Sequence, residues 1–190
     1  GVDQVYHLAA MISVPESMLK PRECVDLNVT GTLHDLQAAE AARVRKVVLA
    51  SSAAVYGDNP TVPKVESMLP EPRSPYAVTK LDGEYYLDLF RRDRGLATTS
   101  LRFFNVFGPR QDPKSPYAAA VPIFIEKAVK GEPIGIFGDG EQTRDFIYVK
   151  DIIGALTLAA NNPDMGGVYN VGYARTMTVK ALAEEVIRLN

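Results

Sequence analysis

Short apolar runs alternate with longer stretches of helical period along this chain. Val5-Tyr6-His7-Leu8-Ala9-Ala10 reads as a buried strand running into a loop, and Lys46-Val47-Val48-Leu49-Ala50 as a strand covered on both faces. Between them, residues 23–42 carry Val25, Val29, Leu33, Leu36 and Ala39 at helical spacing. A second helix is predicted from Tyr76 to Arg94, stopped by Gly95. Strand patterns follow at 98–104, 133–137 and 168–171. Helical patterns fill 119–131 and 149–161, and a last helix begins at Thr178, a good capping residue. Strand and helix alternate at βαβ spacing, which predicts an α/β fold with a doubly wound parallel sheet. The connection from Gly57 to Pro75 breaks the rhythm, with prolines at 60, 63, 70, 72 and 75. A long irregular loop inside a compact domain is usually functional.

Composition narrows the class. The 190 residues are 46% hydrophobic and 23% charged, enough apolar material for a real core and too much for a disordered chain. Formal net charge is −2, with no basic stripe or tail, so no nucleic-acid partner and no membrane surface is expected. No apolar run approaches ~18 residues, the length a membrane span requires. The first residues lack the basic lead of a signal peptide, and a cytoplasmic location is expected. One cysteine, Cys24, and two histidines can build neither a disulfide nor a zinc site, so no metal is expected.

Chemistry concentrates at two places. Tyr76 and Lys80 stand at i and i+4, on one face of the second predicted helix. A free phenol titrates near ~10, and a neighbouring cation lowers that value, so the pair suits a general base. Pro75 places Tyr76 where the long loop meets the helix N-terminus. Ser51 and Ser52 close the apolar strand at 46–50, and ligands of open α/β sheets bind beyond the carboxyl ends of strands. A solvated Lys on an ordinary amphipathic helix is the plain alternative for this spacing.

With these residues in view, the chain resembles the extended short-chain dehydrogenase/reductases, and within them the UDP-glucose 4-epimerase-like nucleotide-sugar epimerases. The resemblance rests on Leu49-Ala50-Ser51-Ser52-Ala53-Ala54-Val55-Tyr56-Gly57 and on Ser74-Pro75-Tyr76-Ala77-Val78-Thr79-Lys80. Tyr6-His7-Leu8-Ala9-Ala10, Asn28-Val29-Thr30-Gly31-Thr32, the run from Leu101 to Arg110, and the run from Phe137 to Phe146 extend it over the whole chain. It implies a Rossmann-type doubly wound sheet over residues 1–110. Residues 111–190 would mix elements of a smaller substrate-binding lobe with a returning strand and helix.

The resemblance also implies roles. Tyr76 takes the proton from a sugar hydroxyl, Lys80 lowers its pKa and holds the nicotinamide ribose, and Ser52 hydrogen-bonds the reacting oxygen. Leu8, Ala9, Ala10, Asn28, Ser51 and Phe104 would line bound NAD, together with Tyr76 and Lys80. Asn105 and Arg144 would hold a substrate pyrophosphate, which the planar Arg fork suits. Ala120, Val121, Ile136 and Phe137 would meet the uracil of a UDP-sugar. For Phe104, Val121 and Phe137 a core role remains open, as does a structural role for Asn28. The expected reaction is NAD-dependent 4-epimerisation through a transient 4-keto sugar.

Gly135-Ile136-Phe137-Gly138-Asp139-Gly140 imitates a dinucleotide-binding loop, but no helical pattern follows it, so that reading is rejected. Against the family pattern, roughly the first 60–70 residues are missing, about two βα units of the cofactor-binding half, so an internal fragment is expected. A homodimer is implied through the helices at 23–42 and 76–94, with Val25, Leu33, Leu36, Leu87 and Phe90 as candidate contacts. A 4,6-dehydratase or decarboxylase of the same superfamily, or a non-catalytic NAD-binding sensor, stands as the alternative. Ala53-Ala54, where a dehydratase should carry an Asp-Glu pair, argue against elimination.

Overall fold

The computed structural model describes residues 1–113 and 119–190. Strand β1 (Gln4–His7) leads to helix α1 (Val14–Leu19), whose cap Ser13 accepts from the Glu16 N–H at 3.0 Å. Helix α2 (Pro21–Val25) passes through a π turn at Asp26–Thr30 into α3 (Gly31–Ala41). The single helix expected over 23–42 is therefore a compound one. The widened turn carries Asn28, which is buried, and such bulges gather at functional places.

Strand β2 (Lys46–Ser52) is buried along its length until Ser52, as expected of a parallel strand covered on both faces. A 3₁₀ turn (Ala53–Tyr56) follows it. Helix α4 (Pro75–Arg94) has every start and stop signal in place: Ser74 caps the Ala77 N–H at 3.2 Å, Pro75 opens the first turn, and Gly95 closes with φ of 69°. Then come β3 (Thr98–Phe103), β4 (Asn105–Phe107), α5 (Ala120–Val129), β5 (Thr143–Arg144) and β6 (Phe146–Tyr148). The chain ends with α6 (Val149–Asn161), β7 (Gly167–Val171), β8 (Met177–Thr178) and α7 (Val179–Leu189).

The described residues form two compact units. The first, 1–103 with 153–171, holds a four-stranded sheet in the order β1-β2-β3-β7, every pair parallel. Its register sets Ser51 beside Arg102 and Ser52 beside Phe103. Leu36 and Ala39 from α3, Leu87 and Phe90 from α4, and Val47 and Leu49 from β2 form one buried cluster. Burying a side chain such as Leu36 or Leu87 contributes about 1.5–3 kcal/mol, so this cluster fixes α4 on the sheet. Leu36, Leu87 and Phe90 are core residues for this reason, while Val25 is exposed.

The second unit, 104–152 with 172–190, pairs β4 with β6 in parallel and β5 with β8 antiparallel. Its core joins Val121 and Phe124 of α5 to Leu182 and Ala183 of α7. Residues 133–137, expected as a strand, pair with no neighbour; Ile134 and Ile136 instead pack against that core from irregular backbone. Among the described residues, no helix is long and apolar enough to cross a membrane.

Candidate active site

In the first unit the site grows from the end of β2 and the start of α4. Tyr76 occupies the first turn of α4, its N–H donating to Ser17 Oγ at 3.2 Å. Lys80 lies one turn on and is buried; its Nζ donates to the Ala50 carbonyl at 2.8 Å, one residue before Ser51. That ammonium is 5.8 Å from the centre of the Tyr76 ring. Ser52 is half-buried at the strand end, and its Oγ accepts from the Ala54 N–H at 3.1 Å.

Electrostatics are set mainly by burial. Withdrawal from water pushes the Tyr76 phenol above its ordinary value, and the Ser52 side chain, hydrogen-bonding to it, pulls the other way. Burial lowers Lys80 to about 8, so the side chain is still mostly an ammonium at neutral pH. Spacing alone credits Lys80 with lowering the phenol. In the structure Ser52 is the neighbour that favours the phenolate.

The loop after β1 is held by Asn28. Its Oδ1 accepts from the Met11 N–H at 2.7 Å, and its Nδ2 donates to the Met11 carbonyl at 3.1 Å and to Thr79 Oγ1 at 3.0 Å. Expected beside the cofactor, Asn28 has its polar atoms engaged by protein and ties the 8–11 loop to α4 next to Lys80. Leu8 and Ala9 are exposed on that loop and Ala10 is half-buried. An exposed leucine beyond the strand end, and an ammonium with one described bond out of three N–H groups, suit the nicotinamide ribose of a dinucleotide.

Ser51 turns away from this surface: it is buried, and its hydroxyl donates to Glu84 Oε1. Spacing missed this acid, although Glu84 continues the row of Tyr76 and Lys80 at i+8. Glu84 in turn holds Arg102 of β3 through Nε at 2.9 Å and Nη2 at 2.7 Å. A charged residue in the strand pattern at 98–104 was the available signal. His7 was also missed; it is buried with Nδ1 2.6 Å from Asp35 and Nε2 2.9 Å from Thr32 Oγ1, and burial lowers its pKa.

The remaining predicted residues belong to the second unit. Asn105 donates through its amide to the Asp145 carbonyl at 2.9 Å. Arg144 is exposed, its Nη1 on the Thr143 carbonyl at 2.8 Å. Phe137 is 93% exposed, whereas Val121 is in the core with Ala120 and Ile136 packed against it. Phe104 is half-buried beside Gly172, where an added Cβ would meet its ring at 3.0 Å.

A parallel sheet with Ser52, Tyr76 and Lys80 at its carboxyl edge sets these groups where Rossmann-type open α/β folds bind their ligands. The chain belongs to the NAD dependent epimerase/dehydratase family, whose model matches residues 1–172. It is 43% identical over 169 residues to a UDP-glucose 4-epimerase of Mycolicibacterium smegmatis, covering 88% of this chain and 54% of that protein. The solved UDP-N-acetylglucosamine 4-epimerase of Methanobrevibacter ruminantium M1, in complex with UDP-N-acetylmuramic acid, superposes with a TM-score of 0.93 at 47% identity, over 96% of this chain and 58% of that one. The UDP-glucose 4-epimerase of Thermus thermophilus, solved with NAD, gives a TM-score of 0.89 at 36% identity, over 98% and 61%. The chain thus spans little more than half the length of these relatives.

Proposed function

We propose that this chain carries the proton-transfer machinery of an NAD-dependent nucleotide-sugar 4-epimerase acting on a UDP-hexose. The observation that carries the reading is the placement of Tyr76 and Lys80 on one helix face, with the Lys80 ammonium fixed to the carbonyl that precedes Ser51-Ser52. Bound NAD supplies the reversible uptake of hydride from the sugar carbon.

The protein's own part is to move one proton and to hold the reactants. Tyr76 takes the proton of the sugar 4-hydroxyl through its phenol oxygen and returns it when the configuration has inverted. Ser52 steadies the reacting oxygen and favours the phenolate. The positive N-terminal end of α4 adds to the same effect. Lys80 also offers its free N–H groups to the nicotinamide ribose, and Leu8, Ala9 and Ala10 supply the surface beneath it. In the second unit, the exposed guanidinium of Arg144 suits a pyrophosphate and the exposed ring of Phe137 suits a uracil. Asn105 shares the first of these roles. Exposed Val25, Tyr85 and Leu89 would carry the homodimer contact.

Ala53 and Ala54, in the turn after Ser52, offer no acid or base for eliminating water. The test is to incubate the whole protein with UDP-glucose, UDP-N-acetylglucosamine and UDP-glucuronate and resolve the products. An epimer of unchanged mass is expected; loss of water or of carbon dioxide overturns the reading. Tyr76→Phe should slow turnover ~10²–10⁴-fold, the usual contribution of a positioned acid–base group.

A further inference from the structure

Beneath the site, in the first unit, lies a chain of buried polar contacts that the proton-transfer scheme does not use. Glu84 and Arg102 are both buried and joined by two hydrogen bonds. From this pair, contacts run to both flanks of Ser52. On one side, Glu84 accepts from Ser51, the residue before it. On the other, Arg102 Nη1 donates to the Tyr56 hydroxyl at 2.9 Å, with its guanidinium 4.8 Å from that ring. Tyr56 closes the 3₁₀ turn that starts directly after Ser52.

The contacts continue outward. Tyr56 donates to Asn170 Oδ1 at 2.7 Å, and the Asn170 amide reaches the Lys64 carbonyl at 3.0 Å. The Asn170 N–H donates to Glu66 at 2.6 Å. So β7 and the proline-rich loop are anchored to the same two charges.

We infer that the Glu84–Arg102 pair is a positioning device for Ser52, locking the backbone on both sides of that serine to the helix that carries Tyr76 and Lys80. The inference rests on the reading of Ser52, Tyr76 and Lys80 given above. Glu84 lies eight residues from Tyr76 on one rigid helix, and at 1.5 Å per residue that is ~12 Å along the axis. Any slide of β2 against Glu84 is transmitted undiminished to the separation of Ser52 and Tyr76. A misplacement of ~1 Å at reacting groups can cost ~10²-fold in rate. A buried ion pair is weak evidence for stability, because matched apolar replacements often fold as well or better. That separates the two explanations of the pair.

The experiment compares the whole protein with Glu84→Gln and with the double variant Glu84→Leu/Arg102→Met, and Tyr76→Phe serves as control. Glu84→Gln leaves Arg102 without its counter-charge and should lower both melting temperature and kcat. The double variant should recover the melting temperature, yet keep kcat at least about 10-fold down, with KM for the UDP-sugar within about threefold. ¹³C-tyrosine NMR should show Tyr76 titrating higher in the double variant, as its Ser52 contact loosens. A double variant with restored melting, parental kcat and an unmoved Tyr76 titration overturns the inference. Should Tyr76→Phe retain activity, or epimerisation be absent, the functional reading fails instead, and the NMR titration still decides whether the pair positions Ser52.

Discussion

Replacing Lys80 by Met isolates the energetic consequence of burying an ammonium at the end of a sheet. Burial lowers Lys80 from 10.5 to about 8, and the side chain is only 6% exposed, so solvent screens little of this. At about 1.4 kcal/mol per pH unit, the difference between the two states is on the order of 3 kcal/mol. Its sign follows from proton counting. Below pH 8 both folded and unfolded chains hold the proton, and the cost of the buried charge is borne in full. Between about 8 and 10.5 the folded chain has released a proton that the unfolded chain still binds, so stability rises with pH. The Met variant loses the bond to the Ala50 carbonyl, a roughly constant offset across this range. Urea unfolding of the cofactor-free whole protein and of Lys80→Met, from pH 7 to 10.5, should therefore show the parent gaining about 3 kcal/mol relative to the variant. Titrating groups remote from Lys80 cancel in the difference. Parallel pH profiles would refute the argument, and a parent that loses ground as pH rises would reverse it.

Three further outcomes are expected. Asn28→Ala strands the Met11 N–H and the groups around it, and unfolding free energy should fall by at least about 2 kcal/mol; unchanged stability would deny the linchpin role. Gly172→Ala sets a Cβ 2.8 Å from Asp145 Oδ2 and 3.0 Å from the Phe104 ring, and crowding of this kind costs about 1–3 kcal/mol, read as a fall in melting temperature. Asp145→Asn weakens the two 2.8 Å bonds from the Tyr173 and Ala174 N–H groups, and faster amide exchange at those two positions is the measurement that checks it.

Local signals carried much of the architecture. The continuous apolar run at 46–50 and the cap, proline and glycine punctuation of α4 are properties of neighbouring residues, and β2 and α4 lie where those signals put them. The spacing of Tyr76 and Lys80 was equally local. What periodicity could not carry were contacts between residues distant in sequence. The expected single helix over 23–42 contains a π turn whose Asn28 is bonded to Met11 and Thr79; nothing in positions 23–42 records those partners. Residues 133–137 have strand composition but find no ladder, because Ile134 and Ile136 are absorbed by the core of α5 and α7. The family pattern implies Ser51 at the nicotinamide end, yet side chains alternate along a strand, and the buried Ser51 hydroxyl donates to Glu84, 33 residues away. The polar chain from Glu84 to Asn170 joins five separate segments, so no window of sequence contains it.

The bond between the Lys80 ammonium and the Ala50 carbonyl has an acceptor that belongs to the main chain. Any residue placed at position 50 presents the same oxygen. A saturation scan there would report how large a side chain the sheet tolerates and would say nothing about the anchor itself. Replacing the 50–51 amide by an ester, which leaves a weaker acceptor of unchanged shape, is the perturbation that addresses it. Half of this contact is thus beyond the reach of ordinary mutation, and sequence drift at position 50 can proceed without disturbing the ammonium.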